Sequence, residues 1–117
     1  MDTVATEAAP APRLRGLPRR GVLGREVAVA AGLRARLLGL SGLRREAAGP
    51  GLLIPSCSSV HTFGMRFPLD LVFLDREGRA IAVRRRVPPW RLAWCRGARS
   101  VLEIPSPAGG ESGAPRT

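Results

Sequence analysis

The chain has 117 residues, 19 basic and 9 acidic side chains, and a formal net charge of +10. That length supports one modest hydrophobic core and excludes architectures that need two domains. Every basic residue is Arg, and Lys, Asn, Gln and Tyr are absent, a depletion that GC-biased coding explains most simply.

Residues 1–18 are rich in Ala and Pro, lack hydrophobic periodicity and read as a flexible tail. Their basic residues come late and no apolar run follows, so they do not read as a secretory signal, and a cytoplasmic protein is expected. No segment approaches the roughly 18–20 apolar residues of a membrane helix. The domain is expected over residues 19–105. It opens with two short β-prone runs, Val22-Leu23 and Val27-Ala28-Val29-Ala30, separated by Arg25 and Glu26. In LRARLLGL, Leu33, Leu37 and Leu40 fall on one helical face, and Gly39 and Gly42 limit that helix to about two turns.

Gly49-Pro50-Gly51 signals a turn before Leu52-Leu53-Ile54, and residues 59–65 can be extended. The clearest strand is LDLVFL, with Pro68 just before it. Asp75-Arg76-Glu77-Gly78 predicts a hairpin loop, with residues 79–87 returning as the partner strand until Pro88-Pro89. Residues 99–104 read as a last strand, and residues 106–117 as an unstructured tail. Short strands between Gly/Pro turns, with one short helix, predict a mainly β domain, a single compact sandwich or barrel.

RARLLGLSGL, GLLIPSCSSVHTFGMRFPLDLVFLDREGRAI, PPWR and ARSVLEIP occur in that order. This combination resembles the domain of unknown function 192 family of small prokaryotic proteins. The resemblance implies a jelly-roll-like β domain and no particular activity. It also marks a departure. Family members follow Leu-Glu-Leu-Pro with Ala-Gly, a short apolar stretch and a closing strand, whereas here Ser106 and Pro107 intervene and no such strand follows.

Cys57, His61 and Met65 are soft or borderline metal ligands four residues apart. In one extended segment, neighbours in that set stand about 13 Å apart, too far for one ion, so no metal or cofactor is expected. Ser59, His61 and Asp70 make a triad on paper, but without a nucleophile elbow or oxyanion loop. Asp70 and Glu103 each interrupt an apolar strand, and burying a carboxylate is costly unless it is paired. They could serve as an acid/base pair, or pin strands through backbone amides or an Arg such as Arg36 or Arg66. Trp90 and Trp94, in PPWRLAWCRG, could form a binding surface or cover the open end of a small sandwich. Cys57 and Cys95 could form a disulfide if their loops meet, although a cytoplasmic chain normally keeps free thiols.

Three readings follow. The first is a monomeric, non-enzymatic domain that binds a small ligand or a protein, with His61, Met65, Asp70, Glu103 and Trp90 lining its concave face. The second is a hydrolytic enzyme using Asp70 and Glu103, or His61, as acid and base. The third is nonspecific polyanion binding through Arg, since this net charge attracts polyanions whatever its origin. Specific nucleic-acid recognition is not expected, because the Arg residues are scattered, aromatics are few and no module signature is present.

Overall fold

The computed structural model describes residues 11–107, apart from the side chains of Leu33, Arg34 and Leu37. In chain order the elements are α1 (Pro12–Arg15), β1 (Arg19–Val22), β2 (Arg25–Val29), α2 (Leu33–Leu38) and a 3-10 turn (Arg45–Ala48). There follow β3 (Leu52–Pro55), β4 (Ser59–His61), β5 (Leu69–Leu74), β6 (Ala80–Val87), β7 (Leu92–Trp94) and β8 (Ser100–Pro105). The larger sheet has six strands in the order β1-β2-β3-β8-β5-β6, and β4 pairs with β7 in a second, two-stranded sheet. The result is a mainly β, sandwich-like domain whose sheet does not close into a barrel.

Why β5 and β8 occupy the interior of the sheet follows from their composition. Side chains alternate between faces along a strand, so a strand that is apolar on both faces needs cover on both sides. All six residues of β5 are buried. One face of the sheet carries Leu52, Ile54, Leu69, Leu71, Phe73 and Val101, packed with Leu14, Leu40, Met65 and Phe67. The other carries Val27, Val29, Leu53, Val72, Leu74 and Leu102. Val60 of β4 belongs to the first cluster and Ala93 of β7 packs against it, so the small sheet covers that face. The parallel pair is β2–β3, joined by the crossover that carries α2 and the 3-10 turn.

Several predicted elements are in place. Leu69–Leu74 and the returning strand form an antiparallel hairpin. Asp75 closes it, its Oδ1 accepting the N–H groups of Glu77 and Arg79 at 2.9 Å each while Gly78 takes φ +84°. Those bonds, the Arg79 amide first, hold the Asp75 carboxyl below its usual pKa.

Other expectations are corrected. Residues 11–18, expected within a flexible tail, are packed: Leu14 is buried and the Ala11 N–H donates to the Ala47 carbonyl. Residues 1–10 and 108–117, the rest of the two expected tails, lie outside the described residues. Arg25 and Glu26 belong to β2, and the β1–β2 turn is Leu23-Gly24, both at positive φ as a two-residue hairpin turn requires. β7 is hidden in the sequence because three residues between Pro88-Pro89 and Cys95 are too few to show a period. Trp90 and Trp94 do not cap the sandwich, being 66% and 67% exposed.

Asp70 illustrates how a buried carboxylate is accommodated. The β5–β6 register shifts between Leu69 and Leu71, which pair with Val87 and Arg84, so two residues of β6 bulge opposite Asp70. Arg86 in that bulge has φ +53°. Asp70 Oδ1 accepts the Arg86 N–H at 2.9 Å and the Ser106 hydroxyl at 2.7 Å. Arg85 stands 3.7 Å from Oδ2, so the pinning groups are these and not Arg36 or Arg66. Ser106, expected in an unstructured tail, is fully buried, and its N–H donates to the Pro68 carbonyl. Replacing Asp70 by Ala leaves two donors without their acceptor. It is expected to lower stability in urea unfolding by about 2–4 kcal/mol, whereas a loss below about 0.5 kcal/mol would mean the bulge holds itself.

Candidate functional site

A cavity of about 270 Å³ lies on the side of the large sheet that faces β4. It exists because of the β8 register. Glu103 pairs with Leu52 on one side and Leu71 on the other, placing it in the row of core-facing residues. The residue is 3% exposed, and its Oε1 is the one buried side-chain N or O atom among the described residues without a hydrogen-bond partner. Burial raises its pKa from 4.5 to about 8, because removal from water penalises the charged form.

Gly39 makes room for this carboxylate. The residue ends α2 with φ +51°, and a Cβ there would stand 3.2 Å from Glu103 Oε1. Glycine therefore serves both the reversal of the chain and the close approach of the acid. Arg36, one turn earlier on α2, lines the cavity, and its Nη2 donates to the Ser56 carbonyl at 3.2 Å.

Cys57, His61 and Met65 line the same cavity. The expectation of one extended segment is corrected here: β4 stops at His61, and the chain turns through Gly64, φ +78°, with the Met65 N–H donating to the Thr62 carbonyl. That turn folds Met65 back toward the residues it was expected to stand away from. Among the described residues, no three His, Cys, Asp or Glu are arranged to hold a metal ion. The Cys57 thiol donates to the Ser59 carbonyl at 3.3 Å. Burial pushes its pKa up, opposed by the Ser59 backbone and by the Arg36 charge, while the Glu103 charge adds to the rise. Such a thiol is not an activated nucleophile at neutral pH.

His61 Nδ1 accepts the Phe63 N–H at 3.1 Å, which leaves the proton of the neutral ring on Nε2. The imidazole stacks on Phe63 at 4.9 Å, and Phe63 stacks on Trp90 at 5.7 Å. Trp90 has φ +68° and is held from inside by Thr62. The Thr62 carbonyl accepts the Trp90 N–H, and its hydroxyl donates to Pro88 O at 2.7 Å and accepts the Arg91 N–H at 2.8 Å. Thr62 thus fixes the corner between β6 and β7 and holds Trp90 outward, at the far end of the aromatic stack from the cavity.

Of the five predicted site residues, His61, Met65 and Glu103 share the cavity, and Asp70 and Trp90 do not line it. Asp70 pairs with Ile104, one residue from Glu103, so alternation sends the two carboxylates to opposite faces of the sheet. This rules out a shared acid/base site for Asp70 and Glu103, and equally a Ser59–His61–Asp70 triad. The Cys57–Cys95 bridge is absent: both thiols are free, and Cys95 donates locally to the Arg96 carbonyl. Their loops do meet, but the Cys95 N–H bonds Ser58 O, one register step from Cys57. The residues missed as site members, Gly39 and Arg36, carried one local signal each, a helix-limiting glycine and a charge among leucines.

Fold and cavity together define a small open β-sandwich with a single carboxyl group at the floor of a largely apolar pocket. The chain belongs to the domain of unknown function 192 family, described as "Uncharacterized ACR", whose model matches residues 8–113. A "putative transcription regulator" from Sinorhizobium meliloti 1021 shares the fold with TM-score 0.60 at 21% identity, over 75% of this chain and 78% of that one. A protein of unknown function from Novosphingobium aromaticivorans DSM 12444 does so with TM-score 0.60 at 23% identity, over 94% and 90%. At these identities the likeness is one of fold. No curated protein matches the chain.

The Glu103 pKa has a consequence for stability. An acid whose folded pKa exceeds its unfolded value holds its proton longer when folded. Its contribution is greatest below about 4.5, falls as pH rises, and levels off above about 8. Urea unfolding of the wild type is expected to lose on the order of 5 kcal/mol from this group across that interval. Glu103→Gln should flatten the profile and be the more stable protein at the alkaline end. Parallel profiles would show that the carboxyl group is solvated.

Proposed function

We propose that this domain binds a compact polar molecule in the cavity, with Glu103 as its anchor. The observation that carries this reading is the buried Oε1 without a partner, because an unmet buried polar atom costs about 1–3 kcal/mol that a ligand donor recovers. The donor set suggests the shape of the ligand. At the floor, Glu103 is neutral near pH 7 and can both donate and accept; an ammonium group would instead draw it into its charged form. At α2, Arg36 keeps guanidinium N–H groups beyond the one given to Ser56, suited to an acceptor or anion. Between them Ile54, Val60 and Met65 supply apolar wall.

A volume of about 270 Å³ is at the small end of ligand pockets, so the reading favours a molecule of amino-acid size, donor at one end and acceptor at the other. The raised Cys57 pKa and the remoteness of Asp70 favour binding over covalent or two-carboxylate chemistry. Among the described residues no helix is long and apolar enough to cross a membrane.

Two measurements test the proposal. Native mass spectrometry of the purified protein is expected to show a small adduct that denaturation releases. Thermal unfolding with millimolar glycine, ethanolamine or acetate separates zwitterion, donor and anion. Glycine and ethanolamine should stabilise the wild type and leave Glu103→Gln unmoved, with acetate weakest. Equal stabilisation of the variant would remove Glu103 as the anchor, and the absence of both adduct and shift would overturn the reading.

A further inference from the structure

Strands β6 and β7 are both edge strands, as β1 and β4 are. Within the described residues β6 pairs only with β5, and β7 only with β4. Between these two strands lies a groove of about 640 Å³ that shares no residue with the Glu103 cavity. Arg84, Arg85 and Arg86 of β6 line it, with Arg91, Leu92 and Trp94 from the corner and β7, and among the described residues no acidic side chain does; Arg84 also lies over the Phe73 ring and Arg85 stands 3.7 Å from Asp70. Leu92 and Trp94 are mostly exposed. The Thr62 hydrogen bonds hold the corner that joins the two strands.

A lone exposed edge can be protected by charge alone, and Arg on β6 would serve that end. Here the charge is accompanied by an apolar component and a second unpaired edge. Unpaired strand edges offer alternating N–H donors and C=O acceptors. A polypeptide backbone matches both sets, whereas a phosphodiester backbone offers acceptors and leaves the carbonyls unmet. Arg side chains complement carboxylates, and Leu92 and Trp94 can receive the apolar side chains that alternate with them.

We infer that the β6–β7 seam binds an extended acidic segment of another protein by strand addition. It is independent of the small-ligand reading and adds a protein partner to it.

The test uses the full chain and a fluorescein-labelled peptide of alternating Glu and Val, followed by anisotropy. Micromolar binding that weakens with salt is expected. The same peptide N-methylated on alternate residues should bind at least tenfold more weakly, because it cannot complete the ladder. Arg91→Glu, a change at an exposed position, should also weaken binding at least tenfold with an unchanged unfolding curve. Peptide addition should slow amide exchange in β6, which attraction by charge alone would not do. Equal binding of the methylated peptide, binding of labelled oligo-dT as tight as that of the peptide, or no peptide binding would each overturn the proposal. The oligo-dT result would replace it with nucleic-acid binding.

Discussion

The register between β5 and β8 is the constraint on which the rest of the molecule depends. It opposes Leu71 to Glu103 and Asp70 to Ile104, so a single pairing decides which side of the sheet receives each acid. Slipping it by one residue would exchange the faces of every side chain in the strand. A slip of β8 would take Val101 out of the larger core, a slip of β5 would take Leu71 and Phe73, and the cost of either exchange keeps Glu103 where it is. The polar floor of the cavity is thus a consequence of how the apolar residues pack.

The two carboxylates show opposite solutions to the same energetic problem. Asp70 is nearly buried and answered by an amide, a hydroxyl and a nearby guanidinium. It turns a bulge with a residue at positive φ into a stable corner and so shapes the end of β6. Glu103 has no such answer and holds a proton instead, which lowers but does not remove its desolvation cost. A group left in that condition in a cavity beside Cys57, His61 and Met65 is what separates a binding reading from a purely structural one.

Ser106 follows β8 directly, and its hydroxyl and amide tie the end of that strand to Asp70 and Pro68. The residue is therefore integrated in the bulge that ends β6. Beside it, the sandwich stays open between β6 and β7, where four of the 19 Arg residues line the groove. Arg84, Arg85 and Arg86 form one of the few Arg clusters of the chain, and the corner set by Thr62 brings Arg91 and Trp94 alongside them.

Much of the fold is legible in the order of the amino acids. Apolar β-prone runs and turn chemistry determined β5, the Asp75–Gly78 hairpin, β6 and β8, because those signals act within a few residues. The sequence also marked Glu103 and Asp70 as acids inside apolar strands, and His61 and Met65 as candidates. Only the tertiary structure decided that the two acids part company, since faces depend on a register between segments far apart in the chain. It alone brought Gly39 and Arg36 to Glu103, folded Met65 back past a turn that an extended reading overlooked, and set Cys95 opposite Ser58 instead of Cys57. It also revealed β7, whose few residues gain their strand conformation from pairing with β4. Local chemistry determines which segments extend or turn, and long-range packing decides which side chains meet.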